Sequence, residues 1–255
     1  MLFRSILMLE PWRTGKFIRI ENETPSTRRF WIEIPELEKF NFEPGQFVTL
    51  DLPIHEQKNK RWRSYSIASW PNGTNVLELV IVLLEGGAGT TYLFNQVTVG
   101  TEVLLRGPQG KFTLPAAIEK DVFLICTGTG VAPFRSMAAF IKDNPREHKN
   151  INLIFGCRTK EDLLYYDELK QLEKELPNFY YIPTLSRQQW EGKSGYVHAV
   201  YEEILKSGLG TDVNVAEQRP ANFYLCGWKN MIDEAKQRIL AMGYDKKAIH
   251  LELYG

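Results

Sequence analysis

Lys60-Arg61-Trp62-Arg63-Ser64-Tyr65-Ser66-Ile67-Ala68 alternates a cation, a ring and a hydroxyl along a stretch that reads as a strand over 62–68. Successive strand residues point to opposite faces, so Arg63 and Tyr65 share one face and Ser66 takes the other. Such a strand offers one ligand both a charge and a ring. It is equally the pattern of a half-buried strand with a paired Arg and a packed Tyr, and the flanking sequence has to decide between the two.

Around that stretch, from Gly15 to about Leu114, apolar residues alternate or run in short blocks between turn signals at 16–22, 28–35, 45–53, 63–69, 76–85 and 102–108. Six strands at this density, with one helix-like piece at 90–96, predict a small antiparallel barrel or sandwich. Past residue 120 the rhythm changes. Near-continuous apolar strands at 121–128, 151–158, 179–186, 222–227 and 249–254 alternate with helical patterns at 132–143, 161–176, 195–207 and 229–243. That alternation predicts a parallel sheet covered on both faces, an α/β domain of the nucleotide-binding type. The boundary is expected between Pro115 and Lys120, giving domains 1–117 and 118–255, with 207–222 as a surface insertion.

With 255 residues, 44% of them hydrophobic, the chain can build one large core or two ordinary ones. Its 31 basic and 31 acidic side chains cancel, which argues against a general nucleic-acid or membrane-surface binder. The densest charge run, 58–63, reads as a local basic patch or a solvated loop. Cys126, Cys157 and Cys226 form no Cys-x-x-Cys pair, so neither a zinc ribbon nor a four-thiolate iron–sulfur cluster is expected within the chain. The four histidines show no ligand spacing, and no metal site is expected. Arg4, Ser5 and Glu10 interrupt the first apolar run, and no later run approaches a membrane span; the expected protein is soluble and cytoplasmic.

Two glycine loops carry the ligand chemistry. Gly86, Gly87 and Gly89, followed by Thr90 and Thr91, precede the short helix, where glycines let backbone approach a phosphate and a helix N-terminus supplies donors; a plain tight turn is the alternative. Gly128-x-Gly130-x-x-Pro133 sits in the first βα turn of the second half. It is a variant of the dinucleotide fingerprint, with Pro133 in place of the third glycine at a position suited to a first helical turn. Cys126 and Cys157 read as buried filler, whereas Cys226 precedes Gly227 at a strand's carboxyl edge, where open α/β sheets bind ligands.

Arg-x-Tyr-Ser at 63–66, the Gly-rich turn with Thr, Gly107-Pro108-Gln109-Gly110-Lys111-Phe112, Gly128-Thr129-Gly130-Val131-Ala132-Pro133 and Tyr224-Leu225-Cys226-Gly227-Trp228, in that order over almost the whole chain, resemble the ferredoxin–NADP reductase superfamily. The resemblance implies a six-stranded antiparallel flavin-binding barrel followed by the α/β domain, and an FAD enzyme. It implies hydride transfer from NADPH or NADH onto the flavin, then single electrons passed to a separate redox protein such as ferredoxin or flavodoxin, or the reverse. Reductase components of oxygenases, and free-flavin or quinone reductases, are related alternatives; a non-catalytic nucleotide-responsive module on the same fold is another.

By position, the resemblance assigns Arg63 to the flavin pyrophosphate, Tyr65 to the flavin ring or ribityl, and Ser66 to the neighbourhood of N5. It assigns Gly87, Gly89, Thr90 and Thr91 to the phosphates; Gly128, Gly130 and Pro133 to the pyridine-nucleotide loop; and Cys226 and Gly227 to the nicotinamide. Glu252-Leu253-Tyr254 resembles the terminal Glu-x-Tyr of the reductases proper, implying a carboxylate near Ser66 and Cys226 and a Tyr stacked on the flavin, with Gly255 as a departure. Arg158, Ser186, Arg187 and Lys193 are expected near the adenosine ribose, and their charge favours NADP over NAD.

Overall fold

β-branched and aromatic residues at alternate positions make the barrel strands of the computed structural model, which describes residues 10–207 and 219–254. Residues 1–9, most of the expected insertion at 207–222, and Gly255 therefore lie outside the described residues. The strands are β1 (Trp12–Thr24), β2 (Thr27–Glu33), β3 (Phe47–Asp51), β4 (Trp62–Ser66), β5 (Val76–Val82) and β6 (Glu102–Gln109). They form one sheet in the order β4-β3-β6-β1-β2-β5, every neighbouring pair antiparallel. Alternation puts Phe17, Phe30, Ile32, Val48, Leu50, Leu77, Leu79 and Leu105 into a common core. The sheet closes where the chain leaving β4 meets β5: Ala68 N–H donates to the Glu78 carbonyl at 2.8 Å, and Glu78 N–H donates to Ser69 Oγ at 2.9 Å. Helix α1 (Ala88–Asn95) covers one end with Leu93 and Phe94.

The second half runs β7 (Asp121–Thr127), α2 (Val131–Asp143), β8 (Ile151–Cys157), α3 (Tyr166–Glu175), β9 (Phe179–Leu185), β10 (Lys193–Ser194), α4 (Val197–Ser207), β11 (Ala221–Trp228), α5 (Lys229–Ala241) and β12 (Ile249–Tyr254). Its strands are all parallel, ordered β10-β9-β8-β7-β11-β12. Helices bury both faces in two apolar clusters, as near-continuous apolar strands demand. Chain order reverses at β7, which lies between β8 and β11, so the crevice of this sheet opens at the carboxyl ends of β7 and β11. One of the two clusters also takes in Ala68, Val80 and Phe112 from the first half, so the two halves share a core at that crevice. Among the described residues, no helix is long and apolar enough to cross a membrane.

Candidate active site

Three strands from distant parts of the chain bring four side chains together. Ser66 ends β4 and is buried; Cys226 lies near the end of β11 and is fully buried. Parallel pairing sets Cys226 opposite Glu252 and Trp228 opposite Tyr254, which carries the end of β12 over the crevice. The Tyr254 hydroxyl donates to Ser66 Oγ at 2.8 Å, and Ser66 Oγ in turn donates to Glu252 Oε1 at 2.5 Å. The Cys226 thiol sits beside the Tyr254 hydroxyl. Burial raises the Glu252 carboxyl above its ordinary range, partly offset by the Ser66 bond. Burial also pushes the Cys226 thiol well up, and the nearby Glu252 carboxyl adds to it. The thiol is therefore held neutral. The chain of donors runs from Tyr254 through Ser66 to a carboxylate that can hold or release a proton.

Next to Ser66, Arg63 and Tyr65 share the other face of β4, both half-buried. Arg63 Nη1 donates to the backbone carbonyls of Lys60 and Trp62 at 3.0 and 2.8 Å. A Cβ on Gly89 would stand 3.0 Å from Arg63 Cγ, so the glycine lets the first turn of α1 lie against that side chain without displacing it. The Gly89 turn and Arg63 thus bring a guanidinium to a helix N-terminus, two features that favour an anion between them. Thr90 Oγ1 is spent on the loop itself: it accepts from Leu84 N–H at 3.1 Å and donates to the Gly87 carbonyl at 3.1 Å, while Thr91 is exposed. Burial pushes the Tyr65 hydroxyl up to about 12 although Arg63 pulls the other way.

The second loop packs tightly on the β11 end. Gly128 has φ +55°, and a Cβ on Gly130 would stand 2.4 Å from the Cys226 carbonyl oxygen. Pro133 is buried in the first turn of α2. Gly227, at φ +141°, leaves room that a Cβ would take 2.5 Å from Thr127 Oγ1. That hydroxyl is buried with no hydrogen-bond partner among the described residues. From this loop a cleft of ≈820 Å³ extends past Cys157, Arg158, Ser186, Arg187, Tyr196 and Trp228. The β9 end is tied to the β8 end by Ser186 N–H and Oγ donating to the Cys157 carbonyl at 2.9 and 3.1 Å, and by Arg187 N–H donating to the Arg158 carbonyl at 3.0 Å. Arg158 and Arg187 are exposed and make no ion pair among the described residues. Lys193 turns away from them, its Nζ held 2.7 Å from both Glu203 oxygens.

Residues 15–114 match the family model described as an oxidoreductase FAD-binding domain, and 124–237 match the oxidoreductase NAD-binding domain. Ferredoxin–NADP reductase B of Sorangium cellulosum is 32% identical over 98% of this chain and 100% of its own length. The chain belongs to the ferredoxin–NADP reductase superfamily. An anthranilate 1,2-dioxygenase electron transfer component from Acinetobacter baylyi is 32% identical over 78% of the chain, and the match spans 54% of that protein's length. The solved ferredoxin–NADP⁺ reductase of Neisseria gonorrhoeae with bound FAD and NADP superposes with a TM-score of 0.78 at 26% identity, over 95% of this chain and 98% of that one. As a member of this superfamily the chain is a flavoprotein oxidoreductase that binds FAD and a pyridine nucleotide and exchanges electrons with a partner.

The residues present fit both groups. Arg63 with the α1 turn suits a pyrophosphate, and the orphaned Thr127 hydroxyl beside Gly128 and Gly227 suits a polar ligand atom. When bound, the flavin supplies the conversion between two-electron and one-electron chemistry. Of the residues expected from the sequence, Ser66, Cys226, Glu252 and Tyr254 come together. Gly128, Arg158, Ser186 and Arg187 line one cleft, while Lys193 and the Thr90 hydroxyl point elsewhere. Thr127 and Trp228 were missed, although both flank named residues at strand carboxyl ends, where the fold rule for open sheets would have found them.

Proposed function

We propose that this chain takes hydride from NADPH onto its FAD and passes electrons singly to a separate redox protein, with ferredoxin or flavodoxin as the class of partner. The observation that carries this reading is the donor chain Tyr254–Ser66–Glu252 beside Cys226, standing where the barrel strand β4 meets the carboxyl ends of the nucleotide sheet. In this reading Arg63 and the Gly87–Thr91 turn hold the flavin phosphates, with Tyr65 against the flavin, and Gly128, Gly130, Pro133 and Gly227 receive the nicotinamide half. Arg158, Ser186 and Arg187 face a 2′-phosphate. Residues 1–117 form the flavin domain and 118–255 the nucleotide domain, and the three unpaired cysteines fit a reducing cytoplasm.

A second reading, reductase component of an oxygenase, draws on the likeness to the dioxygenase electron transfer component. Purified protein should carry flavin absorbance and bleach anaerobically with NADPH. Added ferredoxin, flavodoxin or a hydroxylase-type iron–sulfur protein then distinguishes the partners by rate. A protein that takes up no FAD, or whose FAD neither nucleotide reduces, refutes the proposal.

A further inference from the structure

We propose that Arg135 is a positioning residue of the reductase reaction: its guanidinium fastens the helix that carries the nucleotide loop to the backbone following Ser66. Arg135 lies in α2, one turn beyond Gly130, and is only 4% exposed. Its Nη1 donates to the Ala68 carbonyl at 2.7 Å and to Glu78 Oε2 at 3.0 Å. Its Nε and Nη2 take the two oxygens of Glu168 at 2.6 and 3.0 Å. Ala68 stands two residues past Ser66, and its own N–H is held by the Glu78 carbonyl. At the other end of this path, Gly130 abuts the Cys226 carbonyl. One helix therefore connects the two sides of the candidate site through two hydrogen bonds from a single side chain, to Ala68 and Glu78, while two more to Glu168 hold that side chain in place.

The surrounding groups make this a joint between the halves. Glu78 belongs to β5 and also accepts from Arg29 Nε at 2.6 Å and from the Tyr165 hydroxyl at 2.8 Å. Both guanidinium groups pack on the Tyr165 ring, 4.4 Å from its centre for Arg135 and 4.7 Å for Arg29, and the Tyr165 backbone N–H donates to Glu23 Oε1 at 2.6 Å. Arg29, Glu78 and Glu23 come from the barrel; Arg135, Tyr165 and Glu168 come from the α/β half. Buried charges such as these contribute less stability than apolar residues of the same shape would. What a guanidinium fork adds is direction, since its donors leave one plane at fixed angles and cannot slide. A Lys would keep the charge and lose the fork.

This inference rests on the reading of Ser66 and the nucleotide loop given above. The test uses the full-length protein. In flavin-loaded Arg135→Met, rapid-mixing reduction by NADPH should slow by about tenfold or more, the cost of a small misplacement away from the reacting atoms, while flavin and NADP⁺ dissociation constants stay within about threefold. Arg135→Lys should recover only part of that loss. In flavin-free protein, amide hydrogen exchange over residues 66–70 should quicken in Arg135→Met. Reduction within about twofold of the parent, or unaltered exchange over 66–70, overturns the proposal. If Arg135→Met does not fold, Glu168→Gln loosens the fork from its half-exposed side and should slow reduction severalfold; an unchanged rate there overturns it equally. A parent protein that NADPH cannot reduce sinks the proposed function instead, and the exchange comparison, which needs no nucleotide, still decides the role of Arg135.

Discussion

Glu252 carries a carboxyl that burial holds above the ordinary glutamate value of 4.5, with one short bond from Ser66 as its visible compensation. A folded value above the unfolded one means that its contribution to stability is complete below about pH 4.5 and is lost as pH rises through the folded value. Glu252→Gln should remove that loss, flattening the pH dependence of the urea midpoint above pH 4.5. The same substitution should slow flavin reduction by about tenfold or more, the reach of positioning and proton handling together. Stopped-flow traces of the two proteins decide this, and equal rates would place Glu252 outside the chemistry. At this scale the sequence pointed to Ser66, Cys226, Glu252 and Tyr254 by motif order, but not to their bonding. Nothing in a Glu-x-Tyr pattern says that the Tyr hydroxyl reaches Ser66, because that depends on the β11–β12 register and on the direction the ring takes. Lys193 shows the converse, since its charge was legible and its capture by Glu203 was not.

The elements carry two further expectations. Gly130→Ala would set a methyl 2.4 Å from a backbone oxygen that cannot rotate away, so the loop must shift. Overpacking of this kind costs about 1–3 kcal/mol, and the nucleotide KM should rise more than kcat falls, which steady-state kinetics and a thermal melt report together. At the ends of β8 and β9, Arg158 and Arg187 are exposed with no ion pair among the described residues. Hydrogen bonds to charged groups contribute about 1.5–3 kcal/mol each. Replacing both arginines by Ala should therefore lower kcat/KM for NADPH by about tenfold or more and leave NADH nearly untouched; a parent that prefers NADH reverses the expectation. All six barrel strands and the alternating second half were legible because period-2 patterning and buried parallel strands leave a plain apolar signature. The start of α3 was not. Its pattern runs from 161, yet the helix begins at Tyr166, because Tyr165 takes a left-handed φ of 55° with no Gly or Asn to announce it. The ring of this same residue packs against Arg29 and Arg135.

Across the molecule, the joint around Glu78 couples acid stability to the union of the halves. Burial alone would raise the Glu78 carboxyl, but Arg135 and Arg29 more than offset it, and its net value is lowered. The stability it contributes is present above about pH 4.5 and disappears as pH falls through the lower folded value. Glu78→Gln, which takes one counter-charge from the buried Arg135 and the half-buried Arg29 while leaving them Glu168 and Glu23, should destabilise the protein at neutral pH and reduce the acid sensitivity of the melting temperature. The network was invisible in the sequence because its members are scattered from Glu23 to Glu168. The bond between Ser66 and Glu252 spans 186 positions, and that separation governs time as well as space. During synthesis at roughly 5–20 residues per second, Ser66 waits about 10–40 s for its partner to be made. Contacts this remote in sequence close late, after the loop between them has been ordered. On dilution from denaturant, circular dichroism and flavin uptake should therefore recover before NADPH oxidation does, and turnover should return only with the slowest phase, when β12 docks.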